Sequence, residues 1–278
     1  MEKLLIIPTY NESENVASIL ETVFSLQQNF HVLIVDDSSP DGTAEIVKGL
    51  FEKYAGMLFL EERYGKLGLG TAYIRGFRWA LDKGYQYIFE MDCDFSHNPH
   101  DLDKLYKVCK CGTADVAVGS RYVKGGSVEN WPWIRVGLSK GASVYTRIIT
   151  FMPVKDPTAG FVCYRSEVLE AINLDQISFV GYAFQIEMKF AAWKLGFKIK
   201  EVPIIFIDRR YGVSKMNKGI VKEGIFGVLK LKWMSMFKNY RSRVKNIHDD
   251  RHFEVQGSTS RTHPNPSKER ELPYQNTP

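Results

Sequence analysis

Long apolar runs are missing from this chain. Its most apolar late stretch, GIVKEGIFGVLKLKWMSMFKNY, is broken by Lys222, Glu223, Lys230 and Lys232. No uncharged run there approaches the roughly 20 residues a bilayer span needs, so no transmembrane helix is expected. Cysteine is scarce too: Cys93, Cys109, Cys111 and Cys163 are the whole complement. One CxC without a second pair or a nearby histidine makes no zinc site, and reduced thiols in a cytosolic compartment are expected. The opening MEKLLIIPTYNE holds no charged leader before an apolar core, so no signal peptide is expected. No GxGxxG opens a helix, which removes the main support for a dinucleotide oxidoreductase. GKLGLGT, residues 65–71, lacks the spacing and the Lys-Ser/Thr ending of a P-loop. A basic stripe with interleaved aromatics is also absent, which sets nucleic acid aside.

What remains is a mildly basic globular chain. A net charge of +5 over 278 residues suits a phosphate-bearing partner or an anionic membrane surface. The first two-thirds alternate between strand-like and helix-like segments. Strands are predicted at Leu4–Pro8, His31–Asp37, Met57–Leu60, Tyr85–Asp92 and Asp115–Arg121, and helices at Ser13–Leu26, Asp41–Tyr54, Gly68–Gly84 and Pro99–Cys109. Later come a helix over 137–152, a strand at Gly160–Tyr164, a helix at 182–195 and one strand over Lys198–Asp208. The succession implies an α/β fold with a doubly wound, mostly parallel sheet and functional loops at the strands' carboxyl ends. Residues 1–240 are expected to form one domain with an interfacial amphipathic helix near 217–238. Residues 241–278, polar and rich in Pro, Ser and Thr, are expected to be a disordered tail.

Chemistry gathers at the strand ends. IIPTYNE closes the first with Pro8, Tyr10 and Glu12, and VLIVDDSSPDGT closes the second with Asp36, Asp37 and Asp41. YIFEMDCDFSHNP closes the fourth with Asp92 and Asp94. If the strand stays extended, residues i and i+2 share a face, and two carboxylates there make a site for a hard cation that shares its ligands with substrate phosphates. A bare DxD is also common in solvated turns, but three acidic strand ends along one edge favour a nucleotide site. Arg209 and Lys215 in DRRYGVSK suit a cationic loop over that site; a solvated charge run is the plain alternative.

Together PTYNE, VDDSSPDGT, GLGTAYIRGF, MDCDFSHNP, GSRY, DPTAGFVCYRSEVL, GYAFQIEM and VPIIFIDRRYGVSK resemble the dolichyl-phosphate (polyprenyl-phosphate) mannose synthases, family-2 glycosyltransferases of GT-A fold. The resemblance runs in order over residues 3–238. It implies inverting transfer of mannose from GDP-mannose to a polyprenyl or dolichyl monophosphate. By the same resemblance, Pro8, Tyr10, Glu12, Val35 and Asp37 hold the guanosine part, and Asp92, Cys93 and Asp94 approach the diphosphate and sugar. Asp92 and Asp94 would be the ligands of Mg²⁺ or Mn²⁺. Arg121, Arg209 and Lys215 correspond to the family's phosphate-reading cations, and Arg135 and Ser139 would reach the acceptor phosphate. Cys93 stands where the family has Ala, and Ser96 where some relatives place Gln, so water is expected to complete the metal shell. Gln185 and Glu187 either line the sugar or acceptor side or form a buried structural pair. Peripheral attachment at the cytoplasmic face of a membrane follows, with a separate membrane-anchoring protein as a candidate partner. The rival readings are a polyprenyl-phosphate glucosyltransferase using UDP-glucose, transfer to a polysaccharide or protein hydroxyl, and a nucleotide-binding module without turnover.

Overall fold

Strand β1 (Lys3–Thr9) alternates strictly between two cores. Leu4 and Ile6 face one with Leu33, Val35 and Ile88, while Leu5 and Ile7 face the other with Val32, Ile34 and Phe89. Apolar residues at every position are what a strand covered on both faces requires. This computed structural model describes residues 1–181, 183–208 and 218–242, with the side chains of 218–225 left aside. Tyr182, Arg209, Lys215 and the expected tail from 243 lie outside the described residues.

The chain continues through α1 (Val16–Ser25), β2 (His31–Asp36), α2 (Thr43–Gly49), β3 (Leu58–Glu62), α3 (Leu69–Asp82), β4 (Tyr87–Glu90), α4 (Leu102–Lys110) and β5 (Val116–Ser120). Next come β6 (Ser127–Glu129), α5 (Trp133–Thr150), β7 (Val162–Arg165), α6 (Ser166–Ala171), α7 (Ala183–Lys194), β8 (Ile199–Pro203), β9 (Ile205–Ile207) and α8 (Lys218–Met234). The main sheet has the order β3-β2-β1-β4-β7-β5-β8. β1, β2, β3 and β4 pair in parallel, as do β5 and β8, which bears out the mostly parallel α/β expectation. The order reverses beside β1, and the crevice outside the carboxyl ends of β1 and β4 is where such sheets bind ligands.

Three local expectations need correction. β7 runs antiparallel to both β4 and β5 and enters between them from far along the chain, so the pure βαβ succession breaks there. The single strand expected over Lys198–Asp208 is two: Pro203 has no N–H to continue the ladder, Ile204 N–H bonds Ser120 O at 3.1 Å, and β9 leaves to pair with β6. The strand expected to reach Asp92 ends at Glu90. Met91 N–H still bonds Ile6 O, and Asp92 and Asp94 then stand in a turn rather than on one pleat. That turn needs Phe95 at φ 58°, a left-handed value uncommon outside glycine.

Helix α7 is buried all round, from Ala183 to Ala192, and includes Gln185, Glu187 and Lys189. Glu187 accepts Ser178 N–H, Phe179 N–H and Lys238 Nζ, which makes it the buried structural anchor of the end of α8. The 178–180 loop lies against Gly70, where a Cβ would come within 2.7 Å of Phe179 O, so the GLGT glycine is fixed by close approach. The described chain ends paired to α6, with Ser242 N–H on Ala171 O.

Candidate active site

The loops after β1 and β2 are stitched together before any ligand is considered. The buried Asp36 accepts Thr9 Oγ1–H at 2.7 Å, Ser39 N–H at 2.8 Å and Ser39 Oγ–H at 2.6 Å. Glu12 N–H bonds Thr43 Oγ1, and Glu12 Oε2 accepts Asn15 Nδ2–H. Tyr10 presents its ring to Lys66, whose Nζ lies 4.3 Å from the centroid. Val35 is fully buried in the core, so only its backbone can meet a ligand. Asp37 Oδ1 takes Arg63 Nε–H at 2.7 Å and also pairs with Arg63 Nη2, while Oδ2 takes Leu67 N–H at 3.1 Å and Gly68 N–H. The carboxylate expected to read guanosine therefore also shapes the 63–68 loop. Arg63 and Lys66 received no role in the sequence reading; the signal was two cations inside a glycine-rich connection.

Beyond β4, Asp94 is buried and its Oδ1 accepts Ser96 N–H at 3.1 Å, while Asp92 is half-buried. Glu12, Asp92 and Asp94 all act electrostatically on the Cys93 thiol, which burial pushes well up, so Cys93 stays a protonated packing residue. The donor set fits a hard divalent cation: Asp92 and Asp94 both act on Cys93 between them, and the buried Ser96 Oγ has no hydrogen-bond partner among the described residues. No cluster of three or more His, Cys, Asp or Glu occurs among the described residues, so phosphate oxygens and water would have to supply the other ligands.

Beneath the pair lies a buried polar floor. Burial pushes Glu90 up to about 8, against the pull of Lys189, and pushes Lys189 down to about 8. Lys189 Nζ donates to Ala159 O at 2.6 Å and to Gln185 O and Oε1, both at 3.0 Å, tying α7 to the 156–160 loop.

On the far side stands Arg121, enclosed by Tyr122, Trp131 and Phe206 at 5.2, 5.6 and 5.4 Å from ring centroids. Its Nε–H and Nη2–H bond the fully buried Asp156 at 2.8 and 2.6 Å, its backbone N–H adds a third bond at 2.9 Å, and Nη2–H also reaches Thr158 Oγ1. Burial opposes the guanidinium charge, but Asp156 more than offsets it and the pKa rises. A phosphate meeting Arg121 finds its fork largely occupied. Arg135 stacks on Trp131 at 3.9 Å, and its Nη1–H bonds Asp208 at 2.9 Å. Ser139 Oγ accepts Tyr122 O–H at 2.6 Å. The structure thus brings Arg121, Arg135 and Ser139 around Trp131 and Tyr122. Asp156, the residue that sets Arg121, had no role in the sequence reading; its only signal was the DPTAG motif.

His97 joins the Asp94 loop to this aromatic group, stacked on Phe161 at 5.1 Å and edge-on to Phe206 at 5.2 Å. Burial lowers it from an ordinary 6.5 to about 4, and Arg121 adds to that, although Asp94 and Asp156 oppose. Between these values the unfolded chain binds a proton that the folded chain refuses, so stability falls as pH drops from 6.5 to 4. The expected loss is about 3 kcal/mol. Urea midpoints measured across that window should fall in the native protein and stay flatter in His97→Phe; parallel curves would refute the assignment.

Residues 4–172 match the sequence profile described as Glycosyl transferase family 2. The chain is 45% identical over 225 residues to a polyprenol monophosphomannose synthase of Mycolicibacterium smegmatis, covering 81% of this chain and 84% of that protein. It is 42% identical over 244 residues to an undecaprenyl-phosphate mannosyltransferase of Micrococcus luteus, covering 88% and 99%. Among solved structures, glucosyl-3-phosphoglycerate synthase of Mycobacterium tuberculosis superposes with a TM-score of 0.61 at 14% identity, covering 83% of this chain and 79% of that one. A mannosyltransferase from Pyrobaculum calidifontis, solved with GDP-Man and Mn²⁺, does so at 0.54 and 17%, covering 85% and 64%. These last two share the GT-A fold.

Proposed function

The chain belongs to glycosyl transferase family 2, and from that premise we propose that it transfers mannose from GDP-mannose to a polyprenyl monophosphate, releasing GDP. The observation that carries this reading is identity above 40% to two bacterial polyprenyl-phosphate mannosyltransferases over most of both partners' lengths. GDP-mannose as donor draws support from the Pro8, Tyr10 and Glu12 strand end and from the resemblance of its motifs.

The acceptor is a phosphate monoester with a second pKa of about 6, so at neutral pH it is already an anionic nucleophile. No strong general base is required. One phosphate oxygen attacks the anomeric carbon as its bond to the diphosphate breaks, and attack opposite the leaving group inverts that carbon. Arg135 and Ser139 orient the acceptor phosphate, with Arg121 holding the aromatic wall behind them. Tyr10 and Glu12 position the nucleoside, and Asp92 and Asp94 face the diphosphate; Arg209 and Lys215 are assigned to the same phosphates. A divalent cation held by Asp92 and Asp94 would supply charge neutralisation on the leaving GDP.

The acceptor lipid has to be met at a bilayer surface. No helix among the described residues is long and apolar enough to cross a membrane. Helices α5 and α8 pack together and expose Trp133, Ile134, Leu138, Phe226 and Trp233, and Phe237 is exposed just beyond α8, which supplies apolar side chains suited to peripheral contact.

The test is transfer of labelled sugar to polyprenyl phosphate in detergent with Mn²⁺. GDP-mannose is expected to give a lipid-extractable product that EDTA abolishes. Product from UDP-glucose alone would replace the donor, and product only with a hydroxyl acceptor would overturn the proposal.

A further inference from the structure

A groove of about 450 Å³ opens between α5 and the turn after β5, and its wall is cationic. Lys124, Lys140, Arg147 and Lys155 line it together with the edge of Arg121, and no acidic residue lines it. Elsewhere exposed cations are commonly paired, as Lys48 is with Glu62, Lys53 with Glu21 and Arg75 with Glu61. No charged side-chain end of the four pairs with a carboxylate among the described residues, although Glu201 accepts the Lys155 backbone N–H at 2.8 Å. Four like charges held around one concavity repel each other and favour an anion.

Val144 and Arg147 are shared with a second groove of about 420 Å³, which Ile148 and Phe151 extend. Lys140, Val144, Arg147 and Ile148 recur at helical spacing and Phe151 follows directly after α5, so this side passes from charge to exposed hydrocarbon. Lys232 of α8 adds a cation 4.8 Å from the Phe151 ring. A cationic groove adjoining an apolar one has the charge pattern of an amphiphile. Arg135 and Ser139, assigned to the reacting phosphate, do not line it.

We propose that this groove seats the phosphate headgroup of an anionic membrane phospholipid, distinct from the prenyl phosphate that reacts, with its acyl chains along Val144, Ile148 and Phe151. The bound lipid fixes how the α5 face meets the bilayer. The proposal stands whichever sugar is transferred, because its vesicle-binding arm contains neither donor nor prenyl phosphate.

The experiment is flotation with vesicles of phosphatidylcholine, alone or mixed with phosphatidylglycerol. The native protein is expected to partition preferentially to the mixed vesicles. Basic residues near an anionic surface are worth roughly five-fold each, so Lys124→Gln/Lys140→Gln/Arg147→Gln/Lys155→Gln should lose roughly 600-fold. A control of equal charge, Lys83→Gln just after α3 with Lys104→Gln and Lys110→Gln on α4 and Lys194→Gln on α7, should lose far less. Equal loss in both variants would mean a diffuse field and would overturn the site, as would no preference for phosphatidylglycerol. In detergent the groove variant should transfer mannose with an unchanged KM for polyprenyl phosphate. A raised KM would give the groove to the acceptor instead.

Discussion

Replacing Asp94 by alanine is expected to lower mannose transfer about 10³-fold. That corresponds to ~4 kcal/mol of transition-state stabilisation, the scale of one preorganised group facing developing charge. The expectation rests on a buried carboxylate two residues from Asp92, just beyond β4 at the reversal point of the sheet, which is proposed to face the diphosphate. Alanine also removes the acceptor for Ser96 N–H and could disturb the turn. Asp94→Asn separates the two effects, since the amide oxygen keeps that bond and the volume but not the charge. Both variants should lose activity together, and Mn²⁺ affinity followed by electron paramagnetic resonance should fall in parallel. An active Asp94→Asn enzyme would remove the metal assignment while leaving the reaction class intact.

Asp156→Ala is expected to destabilise the fold by about 3–5 kcal/mol, the cost of breaking a buried ion pair and leaving one charge without its partner. Asp156 is wholly inaccessible, and the Arg121 side chain is 9% exposed. The carboxylate is bound by three N–H groups of that one arginine. In a domain stable by about 5–15 kcal/mol this is a large fraction. Arg121→Met combined with Asp156→Ala should recover part of the loss, because the double variant no longer buries an uncompensated cation among Trp131 and Phe206. The measurement is the urea midpoint at constant m-value. Strict additivity of the two substitutions would show that the pair is not coupled.

Much of this was legible before folding. The alternation of apolar runs with amphipathic segments implied a mostly parallel α/β sheet. The strand ends PTYNE, VDDSSPDGT and MDCDFSHNP placed acidic and polar groups at one edge of the parallel strands, because strand periodicity and turn chemistry are local properties. The resemblance to polyprenyl-phosphate mannose synthases agrees with the relatives found. The helix expected over 137–152 spans Trp133–Thr150, starting after Pro132 and stopping at Phe151, whose φ of 61° closes it. That shift brings Trp133 and Ile134 onto the exposed face of the helix.

The remaining features depend on contacts between residues far apart in sequence. β7 runs against its neighbours because Val162 pairs with both Glu90 and Val118, which no window of the chain contains. Asp37 and Arg121 were assigned to ligands from their motifs; folding also gives them Arg63 and Asp156, 26 and 35 residues away. The cationic groove joins Lys124 and Lys155 from two loops to Lys140 and Arg147 of a helix, none of which forms a motif. The sequence by itself determined the element types, the acidic edge and the family, since these follow from side-chain identity and spacing. Tertiary structure decided which charges are already paired and which remain available to a ligand, since a charge's effective strength depends on its nearest partners and burial.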